Sequence, residues 1–70
     1  MPDKTSKHIA WKLKQLRLQK GLTQVELARK AGINDNYYAK IERSALKPSV
    51  ETLEKIVKAL GVKSSEIFPF

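Results

Sequence analysis

Leu22-Thr23-Gln24-Val25-Glu26-Leu27-Ala28-Arg29-Lys30-Ala31-Gly32-Ile33-Asn34-Asp35-Asn36-Tyr37-Tyr38-Ala39-Lys40-Ile41-Glu42-Arg43 holds two short helices and the turn between them. Thr23 and Glu26 stand three residues apart, as a capping box requires: the hydroxyl accepts from the Glu26 amide while the carboxylate reaches back to the Thr23 amide. Leu22 and Leu27 flank that box at the spacing of a hydrophobic staple. Gly32 stops the helix, because glycine takes the left-handed conformation that closes a helix end at little cost. Asn34 is the next N-cap, with Ile33 and Tyr38 at staple spacing around it. A helix beginning near Asn34 and reaching about Arg43 therefore follows its predecessor after only about three residues, at a sharp angle.

On the N-terminal side, a first helix is expected from Thr5 or Ser6 to just before Gly21. Ile9, Leu13 and Leu16 share one face of it, flanked by Ala10 and Arg17. Trp11 and Leu18, seven residues apart, point away from that face. On the C-terminal side, Lys47-Pro48-Ser49 breaks the chain, and Ser49 caps a fourth helix whose buried face is Leu53, Ile56, Val57 and Leu60. Gly61 closes it. A last turn, capped by Ser64 or Ser65, should bring Ile67 and Phe68 back to the body. No run alternates as a strand. The expected fold is all-α, a compact bundle of about five short helices, with residues 1–7 as a polar basic arm and 8–70 as one domain.

The chain has 70 residues and no cysteine, so disulfides and thiolate metal sites are excluded, in keeping with a reducing cytoplasm. His8 is the lone histidine and has no clustered partners, so neither a metal nor another cofactor is expected. A core this small supplies only about 3–5 kcal/mol of net stability, and an oligomer is the favoured source of more. The formal net charge is +7, from 14 Lys and Arg against 7 Asp and Glu. That excess suits a polyanionic partner, although a solubilising surface would look the same. No apolar run is long enough to span a bilayer, and the first seven residues are too polar to open a secretory signal. No feature suggests a small-molecule effector.

A helix fits the DNA major groove, where each base pair presents a distinct pattern of donors and acceptors. Asn34, Asp35, Asn36, Tyr37 and Lys40 give the third helix a polar leading end and outer face. Tyr38 and Ile41 turn inward, and Ala28 is small enough for two helices to cross over it. Patterning alone fits a groove-reading pair and an ordinary helical hairpin with a solvated face equally well.

The literal sequence is more specific. Residues 22–33, continuing through Ile41-Glu42-Arg43, resemble the lambda-repressor-like (Xre) helix-turn-helix family. The resemblance extends to Pro48-Ser49-Val50-Glu51-Thr52-Leu53, Ala59-Leu60-Gly61-Val62 and Ser65-Glu66-Ile67-Phe68. It implies that Asp35, Asn36, Tyr37 and Lys40 read base edges. Thr23, Gln24, Asn34, Arg43 and Lys47 would hold phosphates, which sets register rather than sequence. Asn36 could bond adenine and Lys40 guanine. Asp35 departs from the family's usual residues; it either accepts from cytosine or supports the helix start through the macrodipole. Tyr38 replaces an aliphatic residue, and its hydroxyl needs a partner or an exit. Arg17 and Glu42 fall where family members form a structural ion pair.

Family members commonly dimerise through their C-terminal region, which implies a homodimer with Leu46, Phe68 and Phe70 at its interface. The other arrangement folds the C-terminal aromatics back beside Trp11 and Leu18. The function implied is a transcriptional regulator of double-stranded DNA, a repressor or autoregulator binding a near-palindromic operator. Restriction-modification controllers, prophage repressors and plasmid regulators all fit the size. The alternative is an antitoxin or protein-bridging module built on the same fold. An enzyme is the weakest reading, since no acid pair, nucleophile–base set or phosphate loop is present.

Overall fold

A computed structural model describes residues 4–67. It holds four α-helices, α1 (Lys4–Gln19), α2 (Gln24–Ala31), α3 (Asp35–Glu42) and α4 (Val50–Leu60), then a single 3₁₀ turn over Ser64–Glu66. The described residues include no strand.

The face predicted for α1 is the buried one: Ile9, Ala10, Leu13, Leu16 and Arg17 are all enclosed. Trp11 and Leu18, on the other side, remain 57% and 54% exposed. The helix starts at Lys4, within two residues of the expected Thr5 or Ser6. Ser6 sits one turn before Ile9 and Ala10 and is buried with them.

Local signals set the other boundaries. Thr23 Oγ1 accepts from the Glu26 amide at 3.0 Å, and Glu26 Oε1 accepts from the Thr23 amide at 2.8 Å. Gly32 has φ +72°, and the Ile33 amide donates to the Ala28 carbonyl at 2.9 Å, closing α2. Asn34 Oδ1 accepts from the amides of Asn36 and Tyr37. Ser49 caps α4 by accepting from the Thr52 amide. The final turn differs from expectation. Its cap is Lys63, whose amide donates to the Glu66 carboxylate at 3.0 Å, while Ser64 and Ser65 lie inside the turn.

Leu13, Leu27, Ala28, Tyr38, Ile41, Ile56 and Ile67 form the core, each at most 1% exposed. Each large side chain among them contributes about 1.5–3 kcal/mol by leaving water. Ile67 fastens the end of the described chain to α1–α4. Phe68, expected beside it, lies outside the described residues. Val57 is only half-buried, at the edge of the face that Leu53, Ile56 and Leu60 bury. Leu46 is half-buried and lines a small cavity of about 180 Å³ with Ile9, Ile41 and Leu53.

Candidate nucleic-acid interface

Gly32, Ile33 and Asn34 are all that separates α2 from α3. So short a link makes the angle between the helices depend on what lies under them. Ala28 is fully buried and Ala31 nearly so, and α3 settles against this small-residue surface. Tyr38, Ile41 and Glu42 form its buried face. Asn36, Lys40 and Arg43, spaced i, i+4 and i+7, form an exposed stripe along the opposite one. Of the residues proposed to read bases, Asn36 and Lys40 are thus presented outward together. Asp35 is half-exposed on the first turn of α3, where its charge also favours the helix start. Tyr37 is half-buried and packs partly against the core, so only part of its ring is open to a ligand.

Beneath this stripe lies a charged network that ties three helices together. Arg17 Nε donates to Glu42 Oε2 at 2.9 Å and Nη2 to Glu42 Oε1 at 2.8 Å, a bidentate pair between α1 and α3. Its Nη1 donates to the Leu22 carbonyl at 2.8 Å, fixing the segment that enters α2. Gln24 Nε2 donates to Glu42 Oε1 at 3.3 Å, adding α2 itself. The side chains of Arg17 and Glu42 are only 10% and 3% exposed. Breaking such a pair singly leaves an enclosed charge.

The electrostatics follow from this enclosure. Burial pushes the Glu42 carboxyl up, but polar contacts from Arg17, the neighbouring Tyr38 hydroxyl and Gln24 outweigh it and hold it below the usual carboxylate range. The bond to Glu42 raises Arg17 further above its ordinary value. Burial, reinforced by Glu42, holds the Tyr38 phenol well above the ordinary tyrosine range. The Tyr38 hydroxyl is enclosed beside Glu42 and Arg17, close enough to feel both charges, yet it makes no hydrogen bond of good geometry. At the start of α2, the Thr23 amide and hydroxyl lower the Glu26 carboxyl.

The residues proposed to hold phosphate fall around the same edge. Thr23 and Asn34 are exposed, with their side-chain oxygens committed to capping, so Thr23 O–H and the Asn34 amide NH₂ are what an anion would meet. Gln24 is half-buried and tethered to Glu42, a link that no spacing rule in the sequence signals. Arg43 is the C-cap of α3, and Lys47 is exposed on the loop beyond it. Ser44, between them, holds φ +62°, a left-handed conformation that its residue type does not signal. Of the residues proposed for a dimer interface, Leu46 lies on this loop, and Phe68 and Phe70 fall outside the described residues. His8 stacks at an angle beside Trp11, ring centroids 6.4 Å apart. Among the described residues there is no cluster of three or more potential metal ligands and no helix long and apolar enough to cross a membrane.

Comparison with known proteins gives this geometry a lineage. A family model described as helix-turn-helix matches residues 13–67. The immunity repressor protein of Bacillus phage phi105 is 42% identical over 59 residues, 84% of this chain but 41% of that protein. The control protein C.BamHI of Bacillus amyloliquefaciens is 37% identical over 60 residues, 84% of this chain and 74% of its own. Among solved structures, the restriction-modification controller C.AhdI from Aeromonas hydrophila superposes with a TM-score of 0.87 at 30% identity, covering 90% of this chain and 96% of that one. The controller C.Esp1396I, solved as a tetramer with its natural 35 base-pair operator, gives 0.86 at 32% identity over 90% of this chain and 83% of its own.

Proposed function

This chain belongs to the helix-turn-helix family of lambda-repressor-like (Xre) regulators, and from that premise we infer that it binds an operator in double-stranded DNA sequence-specifically and regulates transcription there. The observation that carries the reading is the outward stripe of α3, held at a fixed height by the Arg17–Glu42–Gln24 network. Asn36 and Lys40 are the base readers, with Asp35 and Tyr37 at the flanks. Thr23, Gln24, Asn34, Arg43 and Lys47 seat the duplex through its phosphates. The molecule acts as a homodimer on a near-palindromic site, in the compartment that holds the DNA, and blocking a promoter is its simplest mode of action. Its kinship with phage repressors and restriction-modification controllers supports that role. The chain spans 41% of the phage repressor, so the resemblance there concerns the DNA-binding part.

Selection from a pool of random duplexes tests the reading. One enriched site should emerge, bound far more tightly than mixed DNA at the same salt. Asn36→Ala and Lys40→Ala should each cost about 1–3 kcal/mol on that site and relax preference at one position. Arg43→Ala should weaken all sequences alike. A pool that yields no enriched site would overturn sequence-specific regulation.

A further inference from the structure

The C-terminal ends of α1, α2 and α4 converge on an open groove of about 660 Å³. Lys20, Lys30, Lys55 and Lys58 rim it, and all four are exposed. Its floor is apolar and built from small or enclosed side chains, Ala31, Ala59 and Leu60. A lysine at a helix end is ordinarily explained by the carbonyl dipole it faces, equivalent to about half a negative charge. Three helix ends supply roughly −1.5 against four ammonium groups, which leaves about two and a half positive charges unbalanced. Nor do carboxylates neutralise them: among the described residues, none of the four lysines makes an ion pair, and the Arg17–Glu42 pair lies elsewhere. Glu51 and Glu54 stand four residues before Lys55 and Lys58 on α4, a weak pairing at best, and leave Lys20 and Lys30 untouched.

This groove is separate from the DNA-facing edge. No residue of α3 lines it, and it meets α2 at the end opposite Thr23 and Gln24, about 12 Å away along the helix. Its chemistry is also different. Lysine serves phosphate and carboxylate alike, and carbonyl helix ends favour neither anion, so the rim alone does not choose between them. The floor does, because Ala31, Ala59 and Leu60 offer a phosphate nothing and can cover an apolar side chain. A carboxylate-rich peptide carrying one apolar side chain satisfies both rim and floor. We propose that the groove docks an acidic segment of a partner protein, with an apolar side chain of that segment seated on Ala31, Ala59 and Leu60. The inference goes beyond DNA binding and does not depend on it, so a bound regulator could hold operator and partner on opposite ends of α2.

The free chain suffices for the test. A short peptide of alternating Asp and Glu around a central Leu is titrated into the isotopically labelled protein and followed by amide shifts. The amides of Ala31, Ala59 and Gly61 should move most. Lys30→Gln with Lys58→Gln should weaken binding about tenfold, and replacing the central Leu of the peptide by Ser should weaken it several-fold. Folding of the double variant is checked by circular dichroism, and the wild-type shift map stands without it. Shifts centred on Asn36 and Lys40, equal binding of the Ser peptide, or no shifts at millimolar peptide would each overturn the proposal. So would a short duplex that moves the groove amides as strongly as the peptide does, which would make the groove a second nucleic-acid surface.

Discussion

Without Arg17, the enclosed Glu42 carboxylate would keep only Gln24 as a well-formed partner, and the Leu22 carbonyl would lose its donor. Arg17→Met should therefore cost about 3–5 kcal/mol, which is comparable to all the net stability a core of this size supplies. The variant should be largely unfolded by circular dichroism. Adding Glu42→Leu removes the stranded charge, and urea unfolding should find the double variant more stable than the Arg17 single; equal instability would show that the pair is not the cause. The same network sets a pH dependence. Glu42 is depressed in the folded chain, so its contribution is complete above the ordinary carboxyl value of 4.5 and is lost as pH falls through the lower folded value. Glu42→Gln should flatten the fall in urea midpoint between about pH 5 and pH 3. The Tyr38 hydroxyl makes no well-formed bond, so Tyr38→Phe should change stability by less than about 1 kcal/mol; a loss of about 1.5–3 would reveal a genuine bond to charge. The Arg17–Glu42 pair was legible in the sequence through the family resemblance, and the structure forms it; its further partners were not. Periodicity placed Arg17 at the flank of a buried face, but the Gln24 and Leu22 contacts join residues distant in sequence or unmarked by type.

At the scale of elements, the sequence was most informative where a cap is chemically self-contained. Thr23 with Glu26, Gly32, Asn34 and Ser49 each combine a side chain or a glycine with amides two to five residues away, so the signal and its structure share one window. The end of α3 is the exception. The Ala45 amide donates to the Lys40 carbonyl at 2.8 Å and the Ser44 amide to Ile41 at 3.0 Å, the closure that glycine usually provides. Ser44 accepts the left-handed conformation at φ +62°, with its hydroxyl buried and without a hydrogen-bond partner. Packing on either side has overridden local preference, which is why no residue type announced it. Ser44→Gly removes a strain of about 1–2 kcal/mol and returns part of it through the freer unfolded chain. Thermal or urea unfolding should show a net gain of about 0.5–1 kcal/mol. A loss would mean that the hydroxyl is bonded after all. The start of α1 at Lys4 lies within two residues of the expected Thr5 or Ser6, and the register of Ser6 with Ile9 and Ala10 is what buries its first turn.

The dimensions of the whole molecule constrain how two copies can share one operator. The described body measures 27 × 23 × 21 Å, and two such bodies in contact have centres about one body width apart. Reading helices one DNA turn apart are separated by roughly 34 Å, so each must lie outboard of its own body's centre by roughly 4–6 Å. In a homodimer of that kind, the subunit contact belongs on the side away from α3. This arrangement is rigid in one respect that a pair of independent heads is not. Inserting about five base pairs between half-sites turns the second site to the opposite face of the duplex. Affinity for the altered operator should fall to that of an isolated half-site, and hydroxyl-radical footprinting should show one protected half instead of two. Sedimentation equilibrium at micromolar concentration supplies the companion measurement, with Phe70→Ala shifting dimer toward monomer. If the lengthened operator binds as tightly as the original, or the wild-type chain sediments only as monomer, the shared-face dimer is wrong and each copy reads its half-site alone.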